Sequence, residues 1–157
     1  NILNSHFLNS SKKLEYLNSK IENIRVIKGT NFDYFSKEAK DIFFKETYSV
    51  TSLSDRMGMR LQGSKLKNII NTNIKSEGLI KGVIQVPADG NPIILLSDHG
   101  TIGGYPKIAA VISADLDKIG QFSPGSKITF KEVSLEEAED IFKKYTNETN
   151  KYLNECN

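Results

Sequence analysis

The feature that most limits the fold is the middle of the chain, where short β-type runs follow one another with few long helices between them. From Tyr48 the period is two, with Tyr48, Val50 and Ser52 on one side and Ser49 and Thr51 on the other. Further runs fall at 59–62, 80–86, 92–96 and 127–133, with an apolar stretch at 109–112. Pro87, Asp89-Gly90 and Pro92 place a turn between two of them, and Ser123-Pro124-Gly125-Ser126 places another before residue 127. Ile93-Ile94-Leu95-Leu96 is continuously apolar, the pattern of a strand buried on both faces. Helices are confined to the margins of this region. The expected fold class is therefore mainly β, closed or sandwich-like, rather than a doubly wound parallel sheet.

The margins are legible in the same way. Ile24-Arg25-Val26-Ile27 is a β-type run that stops at Gly29. Ser36 stands at an N-cap position before residues 37–44, and Phe35, Ala39, Ile42 and Phe43 share one helical face. Residues 115–121 suit one or two helical turns. Ser134 with Glu137 forms a capping box for a helix running towards Tyr145 and fraying through the polar tail. Residues 1–23 are Asn/Ser/Lys-rich and read as a polar connector, with a short amphipathic helix at 11–22 as the alternative. The expected organisation is a connector at 1–23, a barrel domain at 24–133, and a helix with a polar tail at 134–157.

Composition narrows the classes. A net charge of +2 with interspersed signs gives no basic stripe for nucleic acid. No segment approaches the roughly 18–20 apolar residues that span a bilayer, and no signal peptide is visible. Cys156 is the only cysteine, so neither an intrachain disulfide nor a cysteine-based zinc site is available. His6 and His99 lie far apart, and no metal is expected. These points suggest a cytoplasmic protein. The chain begins at Asn1, as a fragment or a chain missing its leader would.

Chemistry concentrates in three stretches. Asp98-His99-Gly100-Thr101-Ile102-Gly103-Gly104-Tyr105-Pro106 follows the buried run directly. Gly103 and Gly104 would let backbone amides approach a carboxylate or a developing oxyanion, and Asp98 with His99 offers an acid/base pair. The competing reading is a tight turn whose glycines serve only positive φ. In the second stretch, Arg56 and Arg60 could present planar forks to an anion from one side of a strand, with Asp55 on the other; the structural reading is an Arg–Asp pair closing a loop. In the third, Gln85 sits inside an apolar run, where it either binds an amide or is satisfied locally. No Gly-x-x-x-x-Gly-Lys-[Ser/Thr] and no Gly-x-Gly-x-x-Gly after a strand occurs, so ATP binding by this chain alone has no motif.

Taken in order, these stretches resemble one family. Residues 54–63, Ser-Asp-Arg-Met-Gly-Met-Arg-Leu-Gln-Gly, are similar to its Ser-Asp-Arg-Met-Gly-aromatic-Arg-Leu-x-Gly. Residues 82–89 resemble its Gly-x-Ile-Gln-Val-Pro turn, and residues 98–108 its Asp-Arg-Gln-Thr-x-Gly-Gly-Tyr-Pro-x-Ile. The lead-in at 24–29 followed by Phe35, and the run from Ala114 to Phe130, extend the likeness over about 24–133. The family is allophanate hydrolase subunit 2, which includes KipA and the 5-oxoprolinase C-subunit, and the resemblance is to its C-terminal half. It implies a cyclophilin-like β-barrel with a few peripheral helices, working beside a KipI-like (subunit 1) partner and a lactam-hydrolysing subunit. The implied activity is ATP-dependent opening of 5-oxoproline to glutamate by the assembled complex, with ATP and Mg expected there and a small amide as substrate. It also implies two alternatives: a regulatory module antagonising a KipI-like kinase inhibitor, and a urea carboxylase-type subunit. On this reading Asp98, His99 and Thr101 are the catalytic candidates, and Arg56, Gln85, Gly103, Gly104 and Tyr105 bind substrate. Two departures stand out. Asp98-His99-Gly100 replaces Asp-Arg-Gln, so a pH-dependent imidazole stands where the family has a guanidinium, and Met59 replaces the aromatic residue.

Overall fold

The computed structural model describes residues 21–68 and 74–155. Its centre is a closed barrel of seven strands in the order β1 (Ile21–Lys28), β8 (Lys107–Val111), β5 (Val83–Gln85), β6 (Ile93–Leu95), β3 (Gly58–Gln62), β2 (Tyr48–Val50) and β9 (Lys127–Glu132). β9 returns to β1 in parallel from Ile21↔Lys127 to Val26↔Glu132, and this pairing closes the barrel. All other barrel pairs are antiparallel. Closure leaves the sheet no free edge. β4 (Glu77–Gly78) and β7 (Ile102–Gly103) form a separate two-stranded sheet. Three helices, α1 (Lys37–Lys45), α2 (Leu116–Ile119) and α3 (Leu135–Glu155), lie at the margins, as expected. Among the described residues no helix is long and apolar enough to cross a membrane.

Alternation along the strands builds the core. Ile24, Val26, Leu61, Ile84, Ile94, Ile108 and Ile128 are buried, and Phe43 of α1 stacks on Phe130 of β9 at 4.5 Å between ring centroids. Ser36 caps α1 by accepting from the Ala39 N–H at 3.1 Å. Tyr48 packs against both Phe43 and Phe130, but its buried hydroxyl has no hydrogen-bond partner among the described residues. Burial, with the nearby Glu46 charge, drives its pKa well above the ordinary tyrosine value. An unpaired buried hydroxyl costs about 1–3 kcal/mol. Tyr48→Phe is therefore expected to raise the midpoint of thermal unfolding by a few degrees, measurable by calorimetry; a lower midpoint would mean that the hydroxyl is bonded in solution.

Several expectations are corrected at their edges. β1 begins at Ile21, because residues 21–23 pair with β9, so the connector cannot extend to residue 23. The alternative helix at 11–22 lies mostly outside the described residues, and its last two positions are strand. The run at 80–86 yields a strand only from Val83, since Gly82 at φ +89° breaks the extended backbone. Ile93 and Leu96 are only partly buried, so the continuous apolar run does not mark a strand buried on both faces. The capping box of α3 is reciprocal: the Ser134 N–H donates to Glu137 Oε2 at 2.7 Å, and the Glu137 N–H to Ser134 Oγ at 3.1 Å. α3 then continues well past Tyr145, to Glu155. Ala138, Ile141 and Tyr145 pack against Ile112, Ala114 and Val133, and the Tyr145 hydroxyl bonds Asp117.

Candidate functional site

The site is built on the outer face of three neighbouring strands. Met59, Ile84 and Ile94 point into the core, so the alternate positions point out. The registers Arg60↔Ile93 and Gln85↔Ile93 set Arg60 of β3, Ile93 of β6 and Gln85 of β5 in one transverse row. Directly paired residues share a face. The row continues to Lys107 of β8, which pairs with Gln85 across an irregularity between Ile84 and Gln85. Such a bulge re-aims the side chain beside it.

The β4/β7 pair is laid over this face as a flap. Its strands meet at Glu77↔Gly103 and Gly78↔Ile102. Leu79 N–H donates to Thr101 O at 3.0 Å, and Ile74 N–H to Gly104 O at 2.9 Å. Lys107, almost fully buried, anchors the flap through an ion pair from Nζ to Glu77 Oε2 at 2.7 Å. Gln85, 6% exposed, donates from Nε2 to the Tyr105 carbonyl at 3.3 Å.

Between flap and sheet lies a cleft of about 310 Å³, lined by Arg60, Leu79, Gln85, Ile93, His99 and Gly103 among others. A second cleft of about 480 Å³ adjoins it, with Arg60, Ile93 and Tyr105 in the shared wall. Such concave, largely apolar spaces with a few polar groups are where small molecules bind.

The predicted residues divide. Gln85, His99, Gly103, Gly104 and Tyr105 line the smaller cleft together. Asp98, Thr101 and Arg56 are not among its lining residues. Arg56 instead pairs with Asp98, Nε to Oδ2 at 2.8 Å, with Arg56 87% exposed. An Arg–Asp pair does close the loop, but its acid is Asp98 and not Asp55. The Asp55 carboxylate accepts from the Met57 and Gly58 N–H groups, at 2.8 and 3.0 Å. This local bonding keeps Arg56 outside β3, so strand alternation does not put it beside Arg60. His99 Nδ1 lies 2.6 Å from the Gly100 carbonyl, so one ring nitrogen is already engaged.

Gly103 and Gly104 do not have positive φ, which rules out the tight-turn explanation. Their lack of a side chain serves close approach instead. A Cβ on Gly103 would sit 2.8 Å from Leu79 Cδ1 and 3.0 Å from Gln85 Nε2, and one on Gly104 would sit 3.0 Å from Ile74 O. Of the two expected guanidinium forks only Arg60 lines the cleft, and the buried Lys107 joins the site with no motif to single it out. Lys107 carries no sequence signal, because its burial depends on Glu77 thirty residues away.

A closed barrel with a flap-covered cleft on its outer wall is the class of domain these observations define. The chain belongs to the family described as "Carboxyltransferase domain, subdomain A and B", which matches residues 4–132. It is 43% identical over 115 residues to the 5-oxoprolinase C-subunit of Escherichia coli (strain K12), a match covering 73% of this chain and 37% of that protein. It is 40% identical over 121 residues to the 5-oxoprolinase C-subunit of Haemophilus influenzae, covering 77% and 39%. Among solved structures, K. lactis urea amidolyase superposes with a TM-score of 0.75 at 29% identity, over 83% of this chain and 9% of that one. The chain thus spans less than two-fifths of the length of these two curated relatives.

Proposed function

We propose that this chain is the barrel portion of the C-subunit of a 5-oxoprolinase complex, which opens 5-oxoproline to glutamate with ATP hydrolysis. The observation that carries this reading is the cleft in which the side-chain amide of Gln85 and the glycine backbone of β7 come together, in a chain 43% identical to a protein of that name. A lactam presents one N–H and one carbonyl, and a carboxamide is the natural partner of such a group. The Gly104 backbone amide is the candidate for holding the carbonyl oxygen as charge develops on it, because the Gly103 N–H lies in the ladder opposite Glu77. His99, in the same cleft, is the candidate for moving the ring proton. Asp98 and Arg56 hold each other at the rim, and Thr101 accepts from the Leu79 N–H through its carbonyl; these three shape the loop. ATP with Mg, and the remaining chemistry, belong to a KipI-like partner and a lactam-hydrolysing subunit in this proposal, in the cytoplasm.

The test combines the full-length parent with the products of its neighbouring genes, 5-oxoproline and ATP. Glutamate should form only when all subunits are present. Its absence from every combination would sink the proposal. A second reading, a carboxyltransferase role in amide carboxylation, is favoured by the likeness to urea amidolyase. Biotin-dependent carboxylation of urea by the same mixture would support that reading instead.

A further inference from the structure

The guanidinium of Arg60 makes no ion pair or hydrogen bond among the described residues, although it lies in the wall of both clefts. The nearby acid is Asp89, a lining residue of the larger cleft. Burial raises its pKa, but hydrogen bonds from Asn91 and the charges of Lys65 and Arg60 hold it below the ordinary range. Asp89 is bonded to the Asn91 backbone and side chain, at 3.1 and 2.8 Å, and makes no ion pair with Arg60 among the described residues. The second observation is Gln85. Its Nε2 is spent on Tyr105 O, and its Oε1 accepts no hydrogen bond among the described residues. Gln85 lines the cleft, so an Oε1 with no partner among the described residues is available to an N–H donor bound there.

The two groups stand in one row, with Ile93 between them. Two strand spacings separate their backbones by about 10 Å. Both side chains line the same cleft, with Ile93 as the floor between them, so a small ring resting on Ile93 can meet both when they rise from the sheet. Arginine's rigid fork matches a carboxylate through two parallel hydrogen bonds.

We propose that Arg60 is the anion anchor of this cleft: it holds the carboxylate of a small lactam or cyclic amide whose N–H donates to Gln85 Oε1 across Ile93. The inference rests on the lactam reading above and names the residue that selects acidic lactams over neutral ones. Arg60 is exposed on a strand whose core contacts come from Met59 and Leu61, so replacing it leaves the barrel intact.

The test titrates 5-oxoproline and 2-pyrrolidinone, the same ring without its carboxylate, against the full-length protein assembled with its partner subunits. The parent protein should prefer 5-oxoproline, and Arg60→Gln should weaken 5-oxoproline by about tenfold to a hundredfold, the worth of a charge-assisted bond. Binding of 2-pyrrolidinone should be unchanged, and Arg60→Lys should recover part of the loss. Equal weakening of both lactams in Arg60→Gln, or no preference in the parent protein, would overturn the assignment of Arg60 while leaving the lactam reading standing. Binding of neither lactam by the parent protein would overturn that reading, and the anchor with it.

Discussion

Asp115→Ala is expected to cost about 3–5 kcal/mol of folding free energy. The Asp115 side chain is 0% exposed and ties the segment after β8 to the neighbouring strand β1. It accepts from the Arg25 backbone N–H at 2.9 Å and from Arg25 Nε at 3.0 Å through Oδ2, while Oδ1 faces Arg25 Nη2 and lies 3.4 Å from Lys118 Nζ. Removing the acid strands a backbone donor and a half-buried guanidinium. The loss should lie towards the lower figure, because Arg25 keeps 29% side-chain exposure and can recover some hydration. Equilibrium denaturation in urea measures it, and a change below about 1 kcal/mol would contradict the arrangement.

The same residue sets an acid limit on stability. Burial pushes the Asp115 carboxyl up, but the Arg25 side chain, the Arg25 backbone N–H and the charges of Arg25 and Lys118 outweigh it, so its pKa lies below the ordinary range. In the unfolded chain an aspartate titrates near 3.9. The folded state therefore binds the proton less readily than the unfolded state, and the ion pair contributes in full above that pH. Its contribution falls away as the pH drops through the lowered folded value. Asp115→Asn should be less stable at neutrality and should show a flatter decline in acid than the parent protein.

Gly29→Ala is the second large effect. A Cβ there would lie 2.4 Å from Lys107 O, 2.8 Å from Ala109 N and 2.8 Å from the Ile108 carbonyl carbon, all backbone atoms of β8. The Gly29 N–H donates to Ile108 O at 2.9 Å, so β1 and β8 cannot separate without losing that bond. Nothing flexible is present to give way. The expected cost is about 3 kcal/mol, the upper part of the range for overpacking. Because Lys107 carries the flap, ligand binding should weaken as well. Gly78→Ala is the control: a Cβ there meets nothing within 4 Å, and its melting point should match that of the parent protein. Similar melting points for both variants would refute the close approach.

These two positions also show what sequence reading can reach. Gly29 looks like a strand terminator, and Asp115 like the start of a short helix. Neither residue's main role is local. Each is fixed by a partner strand about 80–90 positions away, and such distant pairings leave no trace in composition or periodicity.

The glycine loop that follows the apolar run illustrates the division further. Alternation, turn residues and caps act over a few neighbours. The mainly β class, the turns at Gly90 and Gly125, the caps at Ser36 and Ser134, and the family motifs that mark 98–108 as the site region can therefore all be read from the letters of the chain. Which of those residues line one cleft is decided at longer range. Strand register across β3, β6 and β5 brought Arg60 into line with Gln85, while the Asp55 turn kept Arg56 outside, paired with Asp98. Register is a property of pairs of strands, and a shift of one residue reverses every side chain. That is why the mainly β class was legible from one chain of letters, whereas the row that sets Arg60 beside Gln85 became visible only once the strands were side by side.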